Sequence, residues 1–192
     1  MDFGLQTASI YSRLPKCIVI NIFVSGVITE SNRYHTHFKE LNQEDRELLT
    51  QFSNFLKGKH CQVFASPFDL RLPNAGEEDE DTTNVYQPDL VVVCDQSKLK
   101  GTGYYGTPEL VIEILSPITI RNDKIWKFNK YEMAGVKEYW VVEPEGKFVT
   151  VFKLQENNRY GRPEAYIESD EIRVSIFPEL LIDLESVFMA IR

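Results

Sequence analysis

The sequence predicts an α/β (α+β) fold, a mixed central β-sheet flanked by helices, in one domain over residues 1–192. Two near-continuous apolar runs, residues 88–95 and 109–115, have the length of strands that are covered on both faces. A helical pattern precedes the first run, another follows the second, and more strand patterns come later. Strands that share a sheet with helices packed against it give a layered fold of this class.

Size and composition fit that fold. The chain has 192 residues, 43% hydrophobic and 26% charged, a balance typical of a globular domain rather than a disordered or fibrous chain. A chain of this size buries roughly 70% of its unfolded surface, so it needs no disulfide or structural metal. The cysteines, Cys17, Cys61 and Cys94, are far apart and lack CxxC spacing, which predicts buried, reduced thiols and excludes a disulfide scaffold.

Hydropathy and charge narrow the protein class. The longest apolar run, residues 17–24, is shorter than the ~18–20 residues that span a membrane. It also begins too late for a secretory signal and lacks a small-residue cleavage site, so a cytoplasmic protein without a membrane helix is expected. The net charge of −8 argues against a general nucleic-acid coat protein but allows a local basic site.

Local patterns place the remaining elements. Apolar residues recur at helical spacing between Asn42, which can cap a helix, and Gly58, which can end it. A second helix is predicted over about residues 119–134, ended by Gly135, because the proline of Ser116-Pro117 breaks the preceding strand. Further strands are predicted at 17–28, at 62–72 with a break at Pro67, at 137–143 and at 147–154, followed by one or two weaker strands and a short closing helix within 177–188.

Two carboxylates in the apolar runs point to chemistry. Glu113 interrupts a hydrophobic strand, where a buried carboxylate costs several kcal/mol unless it is paired, hydrogen-bonded or bound to a metal. Asp89 opens the other run directly after a proline. If the two strands are neighbours, both acids can meet at one end of the sheet and offer hard oxygen ligands to Mg²⁺. The alternative is that Asp89 is a turn residue and Glu113 is paired with a lysine.

Basic residues cluster near this predicted site. Arg121, Lys124, Lys127 and Lys130 recur every third residue along the second helix, loosely on one side. Such a stripe is usually a solvated face, but here the helix follows the Glu113 strand after a short link. Residues 98–137 hold seven basic and four acidic residues, so this part is positive on an acidic chain.

Ordered motifs resemble a known family. The segments Pro88-Asp89-Leu90-Val91-Val92-Val93, Pro108-Glu109-Leu110-Val111-Ile112-Glu113-Ile114-Leu115-Ser116-Pro117, Asp123 with Lys127 and Tyr131, Ala134-Gly135-Val136 and Glu138-Tyr139-Trp140-Val141-Val142-Glu143-Pro144 are similar to those of the Uma-type restriction endonucleases. The similarity is dense over residues 66–154, and 177–188 resembles the family's closing segment. It implies membership of the PD-(D/E)xK nuclease superfamily, a restriction-endonuclease-like core and DNA as the substrate.

The resemblance also assigns residues. Asp89 matches the Asp of the motif and Glu113 its second acid, which together with the carbonyl of Ile114 would bind the metal. Two residues after Glu113 stands Leu115 instead of the superfamily's lysine, so the basic partner moves to the following helix, where Lys127 matches and Lys124 is the fallback. Residues 22–26 stand where the family often carries further acids, so a secondary ligand can be missing.

These assignments imply a reaction. The hypothesis is Mg²⁺-dependent hydrolysis of a DNA phosphodiester, with Mn²⁺ as a substitute, in which Asp89 and Glu113 bind a water-activating ion and Lys127 stabilises the reacting groups. Arg121, Lys124 and Lys130 would grip flanking phosphates. The rival is a catalytically inert nuclease-fold module for DNA binding or assembly, and nicking or RNA cleavage is a further alternative. A two-fold homodimer is expected, because a duplex has two strands to cut.

Other candidates carry less weight. The spacing of His35 and His37 suits metal ligation, but no third ligand is evident and a surface pair is the simpler interpretation. Trp126 and Trp140 are interpreted as packing residues rather than base-stacking platforms. Tyr104-Tyr105, between glycines, is interpreted as an exposed pair that can touch a ligand or partner chain.

Overall fold

The structure is a computed structural model that describes residues 41–74, 76–77, 82–115 and 122–189, with the backbone alone for 122–125. By its internal contacts the chain divides into two units, Met1–Thr36 and His37–Arg192, and all described residues lie in the second. A single domain over 1–192 therefore stays a prediction. The strand predicted at 17–28 and the pair His35 and His37 lie outside the described residues.

The described residues form three α-helices and twelve β-strands. In chain order they are α1 (Gln43–Leu56), β1 (Gln62–Ala65), β2 (Asp69–Arg71), β3 (Val85–Tyr86), β4 (Leu90–Val93), β5 (Leu99–Lys100), β6 (Gly103–Tyr105), β7 (Leu110–Ile114), α2 (Asn122–Ala134), β8 (Glu138–Glu143), β9 (Phe148–Lys153), β10 (Glu164–Ile167), β11 (Glu171–Arg173), β12 (Leu181–Asp183) and α3 (Leu184–Phe188). No helix of the described part is long and apolar enough to cross a membrane.

A six-stranded mixed sheet forms the centre of the fold, as predicted. Its strand order is β1-β4-β7-β8-β9-β10. The β7–β8 pair is parallel and the other pairs are antiparallel. The two apolar runs of the sequence are the neighbouring strands β4 and β7, whose residues are all buried.

Both faces of the central sheet are covered because side chains alternate along each strand. On one face, Leu90 and Ile112 join a core with α1, in which Phe52 packs 5.8 Å from Trp140 between ring centroids. On the other face, Val91 joins a second core with α2 and a smaller sheet. This burial on two sides explains why β4 and β7 are apolar apart from Glu113.

The sequence did not predict that smaller sheet. It contains four short strands in the order β3-β2-β6-β5. The predicted strand at 62–72 is in fact two strands in different sheets, because the chain leaves the central sheet at the cis Ser66–Pro67 bond.

The C-terminal part also differs from the prediction. The short closing helix predicted within 177–188 is present, but Leu181–Asp183, in the middle of that range, forms β12, which pairs with β11. Only Leu184–Phe188 is helical, and Asp183 caps its first turn. The alternation in β12, in which Ile182 is buried while Leu181 is 41% exposed, matches a strand better than a helix. Three strands therefore follow β9 instead of one or two.

The two long helices confirm the predicted helical segments. Asn42 accepts the backbone N–H of Asp45 at 2.8 Å, and the Asp45 carboxylate accepts that of Asn42 at 3.2 Å, which forms a capping box. Helix α2 ends before Gly135, whose positive φ of 80° suits a helix C-terminus.

The prediction of reduced cysteines is wrong for two of the three. Cys61 and Cys94 lie opposite each other, one position beyond the β1–β4 register, and form a disulfide. The sequence separation of 33 residues gave no hint of this pairing, because the sheet alone brings the two positions together. The imidazole Nε2 of His60 lies 3.3 Å from Cys61 Sγ.

The β2–β6 contact depends on the missing side chain of Gly103. A Cβ at this position would overlap the backbone carbonyl oxygen of Asp69 on the paired strand. We expect Gly103→Ala to lower the free energy of unfolding by about 1–3 kcal/mol, because neither backbone can move freely. Urea denaturation measures this change. Gly161→Ala is the control: its Cβ meets only the flexible Gln155 side chain, so a loss below about 0.5 kcal/mol is expected, and equal losses would contradict this account.

Candidate active site

Strands β4 and β7 bring the two predicted acids together. Leu90 pairs with Ile112 in the antiparallel register, so Asp89 and Glu113 lie opposite each other one position further along. Both side chains alternate with residues of the first core, Leu90 and Ile112, and thus face the side covered by α2. Each residue is only 7% exposed. The predicted convergence of two carboxylates at one end of neighbouring strands is therefore observed.

Backbone hydrogen bonds hold Asp89 in place. Its Oδ2 accepts the N–H of Ile114, directly after Glu113, at 2.5 Å. Its carbonyl oxygen accepts the N–H of Ser66 at 2.9 Å. The Asp89 carboxylate is thus held against the end of β7, directly before β4 begins at Leu90.

Glu113 accepts hydrogen bonds from two side chains of α2. Lys127 Nζ lies 3.0 Å from Oε2, and the Tyr131 hydroxyl donates to Oε1 at 2.8 Å. Burial raises the pKa of the Glu113 carboxyl to about 7, against the opposing charge of Lys127 and with repulsion from Asp89 adding to the rise. The strand register, which places Asp89 opposite Glu113, accounts for this repulsion.

Helix geometry explains why one element supplies both donors. Lys127 and Tyr131 are four residues apart, so they lie on the same face of α2, one turn from each other. The structure thus brings the predicted Lys127 to Glu113, whereas Leu115 lies beyond the end of β7. Arg121 and the side chain of the fallback Lys124 lie outside the described residues. Lys130 lies one turn after Trp126 on α2, and its Nζ is 5.2 Å from the centroid of the Trp126 ring.

Sequence reasoning missed the part that Tyr131 plays. The residue appeared only within the family resemblance, yet its side chain is fully buried and donates directly to Glu113. Burial is the main cause that raises the Tyr131 pKa well above 10, with the charge of Glu113 adding to it, so the hydroxyl stays a donor. The spacing of four from Lys127 was the available signal, because it places Tyr131 on the same helix face.

The aromatic residues differ from the prediction in which side chains are buried and which are exposed. Trp140 is fully buried and confirms its interpretation as a packing residue, whereas Trp126 is 53% exposed. Tyr104 is 1% exposed, so the expectation of an exposed Tyr104-Tyr105 pair is wrong. The Tyr105 hydroxyl donates to the carbonyl oxygen of Glu77 within the chain.

Comparisons with known proteins identify the family and the fold. A family profile described as "Putative restriction endonuclease" (Uma2) matches residues 24–185. The uncharacterized protein slr1290 of Synechocystis is 36% identical over 84 residues, which cover 44% of this chain and 40% of that protein. A crystal structure from Anabaena variabilis, described as a "putative nuclease belonging to DUF820", superposes with a TM-score of 0.60 at 17% identity, over 76% of this chain and 78% of that one. That likeness shows the shared fold.

The raised pKa of Glu113 predicts a pH-dependent stability. A carboxyl whose pKa is about 7 when folded and ordinary when unfolded stabilises the fold below pH 4.5, and this contribution is lost as the pH rises through 7. Glu113→Gln cannot ionise, so its free energy of unfolding relative to wild type should rise by up to about 3 kcal/mol between pH 4.5 and 8. Urea unfolding across this range, without divalent ions, measures the difference.

Glu164 provides a control of opposite sign. The hydrogen bond from Lys153 is the main cause that lowers the pKa of the Glu164 carboxyl, and the hydrogen bond from Tyr166 lowers it further. The ionised Glu164 carboxylate therefore stabilises the fold at pH values above its pKa in the unfolded chain. This stabilisation is lost as the pH falls through the pKa of Glu164 in the folded protein. Glu164→Gln should therefore lose stability relative to wild type as the pH rises. Parallel pH curves for wild type and Glu113→Gln would show that Glu113 titrates normally.

Proposed function

The chain belongs to the Uma2 family, and we propose on this premise that it is a metal-dependent endonuclease that hydrolyses DNA phosphodiester bonds. One observation carries the proposal: two buried carboxylates from neighbouring strands share a site with an amine from the next helix. A buried acid pair beside a lysine is expensive to maintain in a purely structural core. The arrangement suits a site that handles phosphate and a divalent cation.

The residues present fit Mg²⁺ or its substitute Mn²⁺. Asp89 and Glu113 offer carboxylate oxygens, and the backbone carbonyl of Ile114 is the third proposed ligand. The repulsion that contributes to the raised pKa of Glu113 is the kind that a cation between the two acids relieves. When bound, such an ion lowers the pKa of a water and polarises the phosphoryl group.

The chain's own groups would prepare the reaction. Lys127, which contacts Glu113 Oε2, is positioned to hold the attacking water or the negative charge that develops on phosphorus. Tyr131 fixes the other oxygen of Glu113 and so orients the carboxylate. Asp89 is oriented by the hydrogen bond from the Ile114 N–H.

Substrate and assembly follow from the same proposal. Arg121, Lys124 and Lys130, all on or directly before α2, would contact phosphates on either side of the scissile bond without reading sequence. A homodimer would place two sites on the two strands of a duplex. The proposed location is the cytoplasm, where the Cys61–Cys94 disulfide would be unusual because the compartment is reducing.

Plasmid cleavage tests the proposed activity. We expect purified protein to convert supercoiled plasmid to nicked or linear forms with Mg²⁺ or Mn²⁺ but not with EDTA. Asp89→Asn, Glu113→Gln and Lys127→Ala should each lower the rate about 100-fold or more, because each removes a ligand or charge from the reacting centre. Gel densitometry over time measures the rates.

The chain offers a matched control pair. Lys153 and Glu164 form an ion pair of 2.8 Å on strands β9 and β10, much like the 3.0 Å pair of Lys127 with Glu113. Lys153→Ala and Glu164→Gln should keep wild-type rates. Equal residual cutting by wild type and the three site variants would reveal a contaminating nuclease. That result would favour the catalytically inert module instead.

A further inference from the structure

We propose that Trp126 is a nucleobase-stacking residue, which receives a base of the strand bound at the Asp89–Glu113 site. This inference rests on the proposed function, because it assumes that nucleic acid is the ligand. It adds a contact that neither the family description nor the acid pair implies. The argument comes from the exposure of the ring, from its support and from the charges beside it.

Exposure distinguishes Trp126 from the other tryptophan. The sequence contains two, of which Trp140 is fully buried while Trp126 is 53% exposed. Trp126 is thus a large aromatic surface left partly in water on the helix that also carries Lys127. Every nucleobase has a π-face, so an exposed indole beside a phosphate site is a sequence-tolerant stacking surface.

Aromatic rings connect Trp126 to the acid site. The Trp126 ring lies 5.7 Å from the Tyr86 ring, which lies 5.8 Å from the Tyr131 ring, between centroids. The Tyr131 hydroxyl in turn donates to Glu113. Tyr86 is buried, and its hydroxyl has no hydrogen-bond partner within the described part of the chain. This packing fixes the indole relative to the carboxylates, so a stacked base would have a defined distance from the reacting phosphate.

Positive charge flanks the exposed ring. Lys130 follows Trp126 by one helical turn, and its Nζ lies 5.2 Å from the centroid of the Trp126 ring. A base can stack on the indole while Lys130 meets a neighbouring phosphate. A purely apolar protein partner would gain nothing from this amine, so the surface favours an anionic strand that carries flat rings.

Fluorescence separates stacking from simple attraction. Because Trp140 is buried, binding of a single-stranded oligonucleotide should quench the emission of Trp126 alone. The measurement uses an Asp89→Asn background, which prevents cutting. We expect quenching in that background and none in Asp89→Asn/Trp126→Phe, where Trp140 is the remaining reporter. Unquenched emission on saturating binding would overturn the proposal.

Affinity provides the second readout. Trp126→Ala should weaken oligonucleotide binding about 10-fold, with Trp126→Phe in between, because a stacked base contributes measurably to affinity. The protein that retains Trp126 should bind an oligonucleotide with abasic sites about 10-fold less tightly than one with all its bases. The Trp126→Ala variant should bind the abasic oligonucleotide with the same affinity as the protein that retains Trp126. Met133→Ala is the control, since Met133 is an exposed apolar residue of the same helix, at 77% exposure. Lys130→Ala should reduce the salt dependence of binding.

The outcomes distinguish this inference from the proposed function. Plasmid cleavage with unchanged affinity in Trp126→Ala would overturn the stacking role and leave the endonuclease intact. Quenching and loss of affinity without any cleavage would support stacking and overturn the endonuclease. If Trp126→Ala changes the sedimentation coefficient but not the affinity, the ring belongs to an interface between two copies, and the stacking role is wrong.

Discussion

The site depends on one constraint, which is that the charge of Glu113 lies within a buried strand. A carboxylate there is tolerated only if neighbouring groups satisfy its oxygens. Lys127 and Tyr131 satisfy one oxygen each, so the partners of one carboxylate fix the position of α2 against β7. Asp89 adds a second negative charge beside the first, which works against stability. Stability alone would not favour two acids here, whereas binding of a cation would.

The sequence predicted those elements in which burial sets the spacing of the apolar residues. Strands β4 and β7 are covered on both faces, so their residues are apolar apart from Glu113, and the sequence identified both as central strands. The four-stranded second sheet was missed because its strands have only two or three residues each, too few for alternation to emerge. The strand Leu181–Asp183 was missed within the apolar segment 177–188 for the same reason, because three residues suit either a strand or a helix.

The site shows the same division between local and tertiary information. Asp89 and Glu113 could be found because charges inside apolar runs are anomalous in the sequence itself. Lys127 needed the family resemblance, since four lysines or arginines at a spacing of three leave the inward one undetermined. Tyr131, the exposure of Trp126 and the Cys61–Cys94 pair depend on which elements meet, and only the assembled sheet and helix bring those elements together.

A lysine on a helix needs support that a lysine on a strand receives from the sheet. The C-terminal end of α2 has such a support in Glu132, which is 7% exposed. Its carboxylate accepts hydrogen bonds from the Tyr160 N–H at 2.8 Å and from the Arg159 guanidinium at 2.7 Å. These bonds link the helix to the connection between β9 and β10. With Tyr131 bound to Glu113 on the adjacent position, α2 is held at both its inner face and its end. The amine of Lys127 therefore has a defined position beside Glu113, although it comes from a helix rather than from the sheet.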